Sequence, residues 1–148
     1  MRRVARIREK KTRIALGLMS GTSVDGVDVA LAQISGRGLA IRARLLSFAT
    51  YPFPQEMRKR ILRLFSARAE EICEMNFVLG EFMAECALKL LCQVGFSPKQ
   101  VDLIGSHGQT VCHMPGGKRG QEPFVHFSGS TLQIADHRVI AERTGITT

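Results

Sequence analysis

One stretch of the chain concentrates residues suited to binding an anion: Gly17-Leu18-Met19-Ser20-Gly21-Thr22-Ser23-Val24-Asp25-Gly26-Val27-Asp28. Gly21 and Gly26 allow backbone amides to come close to a ligand, and Ser20, Thr22 and Ser23 add hydroxyl groups. A turn of this kind can cradle phosphate through its N–H groups alone. Asp25 and Asp28 could hold Mg2+ directly or through water. The stretch is not a P-loop, since G-x-x-x-x-G-K-[ST] is absent, and it is not a dinucleotide fingerprint, since no helical pattern follows the turn. The same residues equally describe a hairpin whose Gly and Asp only satisfy turn geometry.

A second cluster reads Gly105-Ser106-His107-Gly108-Gln109-Thr110-Val111-Cys112-His113-Met114-Pro115. It follows a short apolar run, so His107, Gln109 and Thr110 are expected at a strand end, where α/β folds place ligand contacts. A lone His there also serves as an ordinary hydrogen-bonded structural group, and His107 and His113 lack the spacing of a helical zinc pair. The third cluster is Thr131-Leu132-Gln133-Ile134-Ala135-Asp136. Gln133 and Asp136 suit sugar hydroxyls, and Asp136 equally suits the N-cap of a following helix. Spacing reveals neither a Ser-His-Asp constellation nor paired glycosidase carboxylates.

The elements that carry these clusters follow from hydrophobic period and punctuation. Residues 14–19 and 27–34 read as buried strands, with the first cluster as the turn between them. Gly36 and Gly38 mark a further turn before a third strand near residues 39–48, giving an antiparallel three-stranded start. Pro52 and Pro54 introduce a helix with Met57, Ile61, Leu64 and Phe65 on one face. Residues 70–94 are helical again, with Ile72, Met75, Leu79, Phe82, Met83, Cys86, Leu90 and Val94 on the buried stripe. Gly95 is its stop, and Gly80 inside it predicts a close packing contact. Residues 101–106 form a strand, 115–130 a loop, 131–134 another strand, and Asp136 to Arg143 a short helix ended by Gly145. Ile146 begins a further strand, running to Thr148. This order predicts an α/β fold with a mixed sheet and helices packed on it.

The 148 residues carry 45% hydrophobic and 23% charged side chains, a globular balance. The net charge of +8 is concentrated in an N-terminal arm. Arg2, Arg3, Arg6, Arg8, Lys10, Lys11 and Arg13 stand against Glu9 alone, which leaves +2 for residues 14–148. The arm, residues 1–13, reads as a solvated extension, and nucleic-acid binding is the less favoured use of it. Cys73, Cys86, Cys92 and Cys112 form no C-x-x-C pair, and the first three read as small buried hydrophobes. A reducing cytoplasm is expected. No run is long and apolar enough for a membrane span.

Taken together, the three clusters resemble the anhydro-N-acetylmuramic acid kinase family. Its opening is similar to G-x-M-S-G-T-S-x-D-G-x-D, met at Gly17, Met19, Ser20, Gly21, Thr22, Ser23, Asp25, Gly26 and Asp28. Its second signature resembles I-G-x-H-G-Q-T-V-x-H-x-P, met at Ile104, Gly105, His107, Gly108, Gln109, Thr110, Val111, His113 and Pro115. The third resembles T-L-Q-I-(G/A)-D followed by I-(V/A)-x-R-T-G-I-T, met at residues 131–136 and 140–147. The resemblance spans residues 14–148, with the arm outside it, and the stretch 116–129 is longer than the usual connection.

The resemblance implies an RNase H-like lobe of the actin-like ATPase and sugar kinase superfamily. It assigns Gly21, Thr22, Ser23, Val24, Asp25, Gly26, Val27 and Asp28 to an ATP phosphate loop, with Asp25 and Asp28 toward Mg2+. It turns His107, Gln109, Thr110, Gln133 and Asp136 toward the sugar. The implied reaction opens the 1,6-anhydro ring of anhydro-N-acetylmuramic acid with water and moves the ATP γ-phosphoryl group to O6, giving N-acetylmuramic acid 6-phosphate in bacterial cell-wall recycling. The family pattern continues past G-I-T into a D-F-R-like segment, whose aspartate is the implied general base, and into a second lobe that holds the adenine. That aspartate is expected beyond Thr148, so no residue of the chain is assigned as catalytic. The 148 residues are therefore expected to be the N-terminal portion of such an enzyme and inactive alone, with a homodimer compatible with the full-length protein. A module that keeps this lobe for binding without catalysis is the alternative.

Overall fold

The computed structural model describes residues 2–114 and 129–148. Five strands form one mixed sheet in the order β3-β2-β1-β4-β5. They are β1 (Thr12–Ser20), β2 (Gly26–Ser35), β3 (Arg42–Pro52), β4 (Leu103–Met114) and β5 (Ser130–Ile134). The first three make the expected antiparallel meander, with Leu18 opposite Val29 and Val29 opposite Ala49. β4 then lies parallel to β1, with Gly17 opposite Gly105, and β5 returns antiparallel to β4. The fold is α/β, as expected, and consistent with an actin-like ATPase lobe.

Alternation along the strands decides which face is covered. Leu16 and Leu18 of β1 and Val27, Val29 and Leu31 of β2 are buried with Met75, Leu79, Met83 and Leu90 of helix α3 (Ala69–Gln93). Ile61 of α2 (Gln55–Arg63) and Ile140 of α4 (His137–Thr144) complete the same core. The alternate positions Met19, Leu45 and Phe48 are exposed.

Gly80 has the packing role its position suggested. A Cβ there would lie 3.0 Å from the Asp136 carbonyl oxygen and 3.1 Å from the Val139 Cβ, so the glycine lets the start of α4 rest closely on α3. Asp136 caps α4 through Oδ1, which accepts from the N–H groups of Arg138 (2.9 Å) and Val139 (3.2 Å). Gly145, at φ 68°, terminates the helix in the left-handed conformation.

Several expectations are corrected. The arm contains a helix, α1 (Arg2–Glu9), because the Arg13 guanidinium gives its trailing carbonyls a partner: Ile7 O at 3.1 Å and Lys10 O at 2.9 Å. Lys10 also pairs with Asp102. Cys73 and Cys92 are exposed, each off the buried stripe of α3, and only Cys86 fits the reading as a buried hydrophobe. Phe65 is exposed too, because a 3-10 turn over Leu64–Ser66 ends α2 and turns it away from the core. The strand expected from Ile146 to Thr148 does not form. The Ile104 N–H donates to Thr147 O at 2.7 Å, but the Ile146 N–H turns back to Thr144 Oγ1 at 3.2 Å and Thr148 Oγ1 to Ile146 O at 3.4 Å. These local bonds replace a ladder. The loop expected over 115–130 lies outside the described residues except at its last two positions.

The second cluster shows the largest difference. It is not at a strand end but inside β4, which runs on to Met114. Gly108, at φ 76°, carries a bulge: Leu18 pairs with Ser106 while Ser20 pairs with Gln109. The extra residue reverses the alternation, so that Gln109 points into the protein instead of away from it.

Candidate functional site

The turn between β1 and β2 is held from beneath. The Val24 N–H donates to Gly21 O at 3.3 Å, and Val24 itself stands at φ 53°, a strained region for a β-branched residue. Its side chain is fully buried, and Arg58 Nε donates to its carbonyl at 2.9 Å, which fixes the strained residue from two sides. The Phe53 N–H donates to Asp25 O at 3.2 Å. At Gly26 the backbone of β3 comes so near that a Cβ would lie 2.3 Å from Tyr51 O. Ser20 Oγ lies 2.7 Å from Gly26 O and 2.6 Å from Gln109 Oε1.

The upper side of the turn is open. Thr22, Ser23 and Asp25 are exposed, and a Cβ on Gly21 would meet nothing within 4 Å. Among the described residues, the backbone N–H groups of Thr22 and Ser23 have no acceptor. Two successive unpaired N–H groups on a braced turn are the raw material of an anion nest. Val24, Gly26 and Val27 are buried, so their part in the loop is played by backbone and packing.

Asp28 projects from β2 beside Met19 of β1 and Thr50 of β3, and Thr50 Oγ1 donates to its Oδ1 at 2.6 Å. Among the described residues there is no group of three or more His, Cys, Asp or Glu side chains able to hold a metal.

The sheet brings the three sequence clusters onto neighbouring strands. Ser20 lies against Gln109, and Thr110 lies against Gln133. His107 is exposed, Thr110 is buried and Gln133 is half-buried, its Nε2 donating to Thr131 Oγ1. Gln109 is fully buried, with Nε2 donating to Gly21 O and to Thr110 O, each at 2.8 Å. Asp136 is engaged as a helix cap. The Val139 N–H holds its carboxyl below the usual range, with the Arg138 N–H adding to that and burial opposing it. Thr148, past which the general base is expected, is half-buried, and its hydroxyl is occupied by the Ile146 carbonyl.

Sequence reasoning missed Asn76. From α3, its Oδ1 accepts the Ala135 N–H at 3.0 Å and its backbone carbonyl accepts the Asp136 N–H at 2.9 Å. Ala135 stands at φ 146°, a backbone conformation that L side chains rarely adopt and a small residue tolerates best. Arg58 was missed as well, since an exposed-looking helical Arg gives no sign that it grips a turn 34 positions away.

Comparison with known proteins identifies the family of the chain. The family described as anhydro-N-acetylmuramic acid kinase matches residues 13–148. A protein of that name from Caldanaerobacter subterraneus subsp. tengcongensis is 48% identical over 155 residues, covering 100% of this chain and 37% of the relative. Its counterpart from Bacillus cereus (strain ATCC 10987 / NRS 248) is 40% identical over 134 residues, covering 88% of this chain and 33% of the relative. The one from Bacillus thuringiensis subsp. konkukian is 40% identical and covers 89% and 34%. The chain thus spans about a third of the length of the curated relatives it matches. Among the described residues, no helix is long and apolar enough to cross a membrane. With the family's motifs in register on one sheet and its match running over nearly the whole sequence, the chain belongs to the anhydro-N-acetylmuramic acid kinase family.

Proposed function

We propose that this chain supplies the phosphate loop and the sugar-facing strands of an ATP-dependent anhydro-N-acetylmuramic acid kinase. The observation that carries the reading is the turn at residues 21–25, braced from below and open above, with the N–H groups of Thr22 and Ser23 lacking an acceptor among the described residues. Phosphoryl transfer depends mainly on positioning and charge stabilisation, and a rigid set of backbone donors supplies both. Asp25 and Asp28 hold Mg2+ alongside the phosphates; the ion, when bound, neutralises the charge that develops on the transferring group. His107, Thr110 and Gln133 lie on the strands next to the loop and form the sugar side, with Asp136 supporting it as a cap. In this reading the enzyme is cytoplasmic and acts in cell-wall recycling.

The proposed reaction adds water across the 1,6-anhydro bond and transfers the ATP γ-phosphoryl group to O6. The 148 residues alone are expected to give no turnover, since the resemblance assigns the general base and the adenine contacts to segments other than the three motifs found here. The test uses a polypeptide joining this chain, at Thr148, to the remaining two-thirds of the Caldanaerobacter relative, given ATP, Mg2+ and anhydro-N-acetylmuramic acid in H2-18O. The expected product is N-acetylmuramic acid 6-phosphate carrying one 18O at C1. Phosphorylation of a different sugar, or turnover by the 148 residues alone at the rate of the joined polypeptide, overturns the reading.

A further inference from the structure

We propose that Gln109 is a positioning residue of the phosphate loop, not a contact to the sugar. The proposal rests on the reading of residues 21–25 as a phosphate cradle. Gln109 lies in the signature that the family resemblance turns toward the sugar, yet its side chain is fully buried and points under the neighbouring turn. The bulge at Gly108 is what sends it there.

Its amide orientation follows from its partners. Nε2 lies 2.8 Å from two carbonyl oxygens, Gly21 O and Thr110 O. A primary amide has two N–H donors, and both are used. The reverse orientation would set Oε1 against two carbonyls with no hydrogen between them. Oε1 therefore faces Ser20 Oγ at 2.6 Å, and the hydroxyl also lies 2.7 Å from Gly26 O. The single Ser20 proton is shared between these two acceptors. One side chain thus ties Gly21, where the turn leaves β1, and, through Ser20, Gly26, where it enters β2.

The two anchored carbonyls decide how the turn faces. With Gly21 O and Gly26 O pulled inward, the intervening N–H groups of Thr22 and Ser23 are left toward solvent. Losing the Gln109 amide would remove the side-chain anchor of Gly21 O, which then keeps only the longer 3.3 Å bond from the Val24 N–H, and would leave Ser20 Oγ to Gly26 O alone; the donors at the Gly21 end would then have to be ordered each time an anion binds. A hydrogen bond's worth of ordering corresponds to about a tenfold loss in affinity.

Two substitutions separate this role from packing. Gln109→Met keeps the volume and removes both donors. Gln109→Glu keeps the shape but sets a second oxygen against the two carbonyls; protonation restores one donor, so its defect eases as pH falls. Amide hydrogen exchange on the 148-residue chain is the first readout. Exchange of the Val24 N–H, which is bonded to the Gly21 O that Gln109 anchors, should rise in Gln109→Met while the α3 amides near Leu79 and Met83 keep wild-type protection. Titration with Mg-tripolyphosphate is the second, with affinity expected to fall about tenfold, and Gln109→Glu regaining part of it on acidification. Affinity for anhydro-N-acetylmuramic acid should stay unchanged. Unchanged exchange at Val24 overturns the brace, as does loss of sugar affinity with tripolyphosphate binding intact. If wild-type protein binds no tripolyphosphate, the cradle reading fails, and hydrogen exchange alone then decides whether Gln109 braces the turn.

Discussion

Replacing Gly80 with alanine sets two effects of known sign against each other. Alanine is favoured over glycine inside a helix by about 0.8–1.0 kcal/mol. Against that, the new methyl would sit 3.0 Å from Asp136 O, 3.1 Å from the Val139 Cβ and 3.2 Å from Asp136 N. Overpacking a filled contact costs about 1–3 kcal/mol, depending on whether the neighbour can retreat. Here it is held. The Asp136 N–H is bonded to Asn76 O at 2.9 Å, and Ala135 before it already stands at φ 146°. The cost therefore belongs in the upper half of that range, and Gly80→Ala should destabilise the protein by about 1–2 kcal/mol net. Urea denaturation measures this directly, with the slope unchanged if the denatured state is unaffected. In an Asn76→Ala background the side-chain tether to Ala135 is gone and the penalty should shrink, giving a measurable coupling in a double-mutant cycle. Stabilisation by the full helix-propensity gain would show the contact to be soft and refute the packing argument.

Gly26→Ala should be harsher, about 3 kcal/mol or more, because its Cβ would lie 2.3 Å from Tyr51 O and 2.8 Å from the Pro52 Cα, backbone atoms that cannot turn aside; thermal unfolding reads this. The depressed Asp136 carboxyl contributes stability that is fully present above the unfolded carboxylate range, about pH 3.9, and is lost as pH falls through its lower folded value. Asp136→Asn keeps the cap but removes that titration, so its stability difference from wild type should collapse in acid, as followed by urea denaturation across pH. Burial, with the Glu85 charge adding to it and Lys89 opposing, pushes the Cys86 thiol up to about 12. In the native protein at pH 8, iodoacetamide should label Cys73 and Cys92 while sparing Cys86, as read by peptide mass mapping; equal labelling would contradict the burial argument.

The parts of the fold that local sequence determines are legible in it. Residues 14–19 and 27–34 show apolar runs between turn residues, and both are strands of the expected meander. Gly80 in an apolar stripe and Asp136 before a short helix each have one dominant physical use, and the structure shows both. What escapes depends on contacts distant in sequence. Nothing near Gln109 indicates that a bulge one residue earlier turns its amide inward toward Gly21. Charge alone makes the arm a solvated extension, but Arg13 and Asp102 give α1 anchors that composition does not reveal. Residue type alone makes Cys73 and Cys92 buried, while their positions beside the stripe, not on it, leave them exposed. Ile146 to Thr148 has the composition of a strand, yet apart from the Thr147 carbonyl, which accepts from Ile104, the polar groups of Ile146 and the Thr148 hydroxyl are taken up by near neighbours. The three clusters are legible as motifs, while their convergence needs the parallel pairing of β1 with β4.

The most direct test of the phosphate cradle uses Gly21. A Cβ there meets nothing within 4 Å, so Gly21→Ala should fold with wild-type stability and obstruct only what approaches from outside. Amide chemical shifts of wild type and Gly21→Ala, each titrated with Mg-tripolyphosphate, locate the anion and weigh the substitution in one measurement. The account predicts wild-type shift changes centred on residues 21–25, and markedly weaker binding by the variant. Changes confined to the basic residues 2–13, or equal binding by the two proteins, would contradict it.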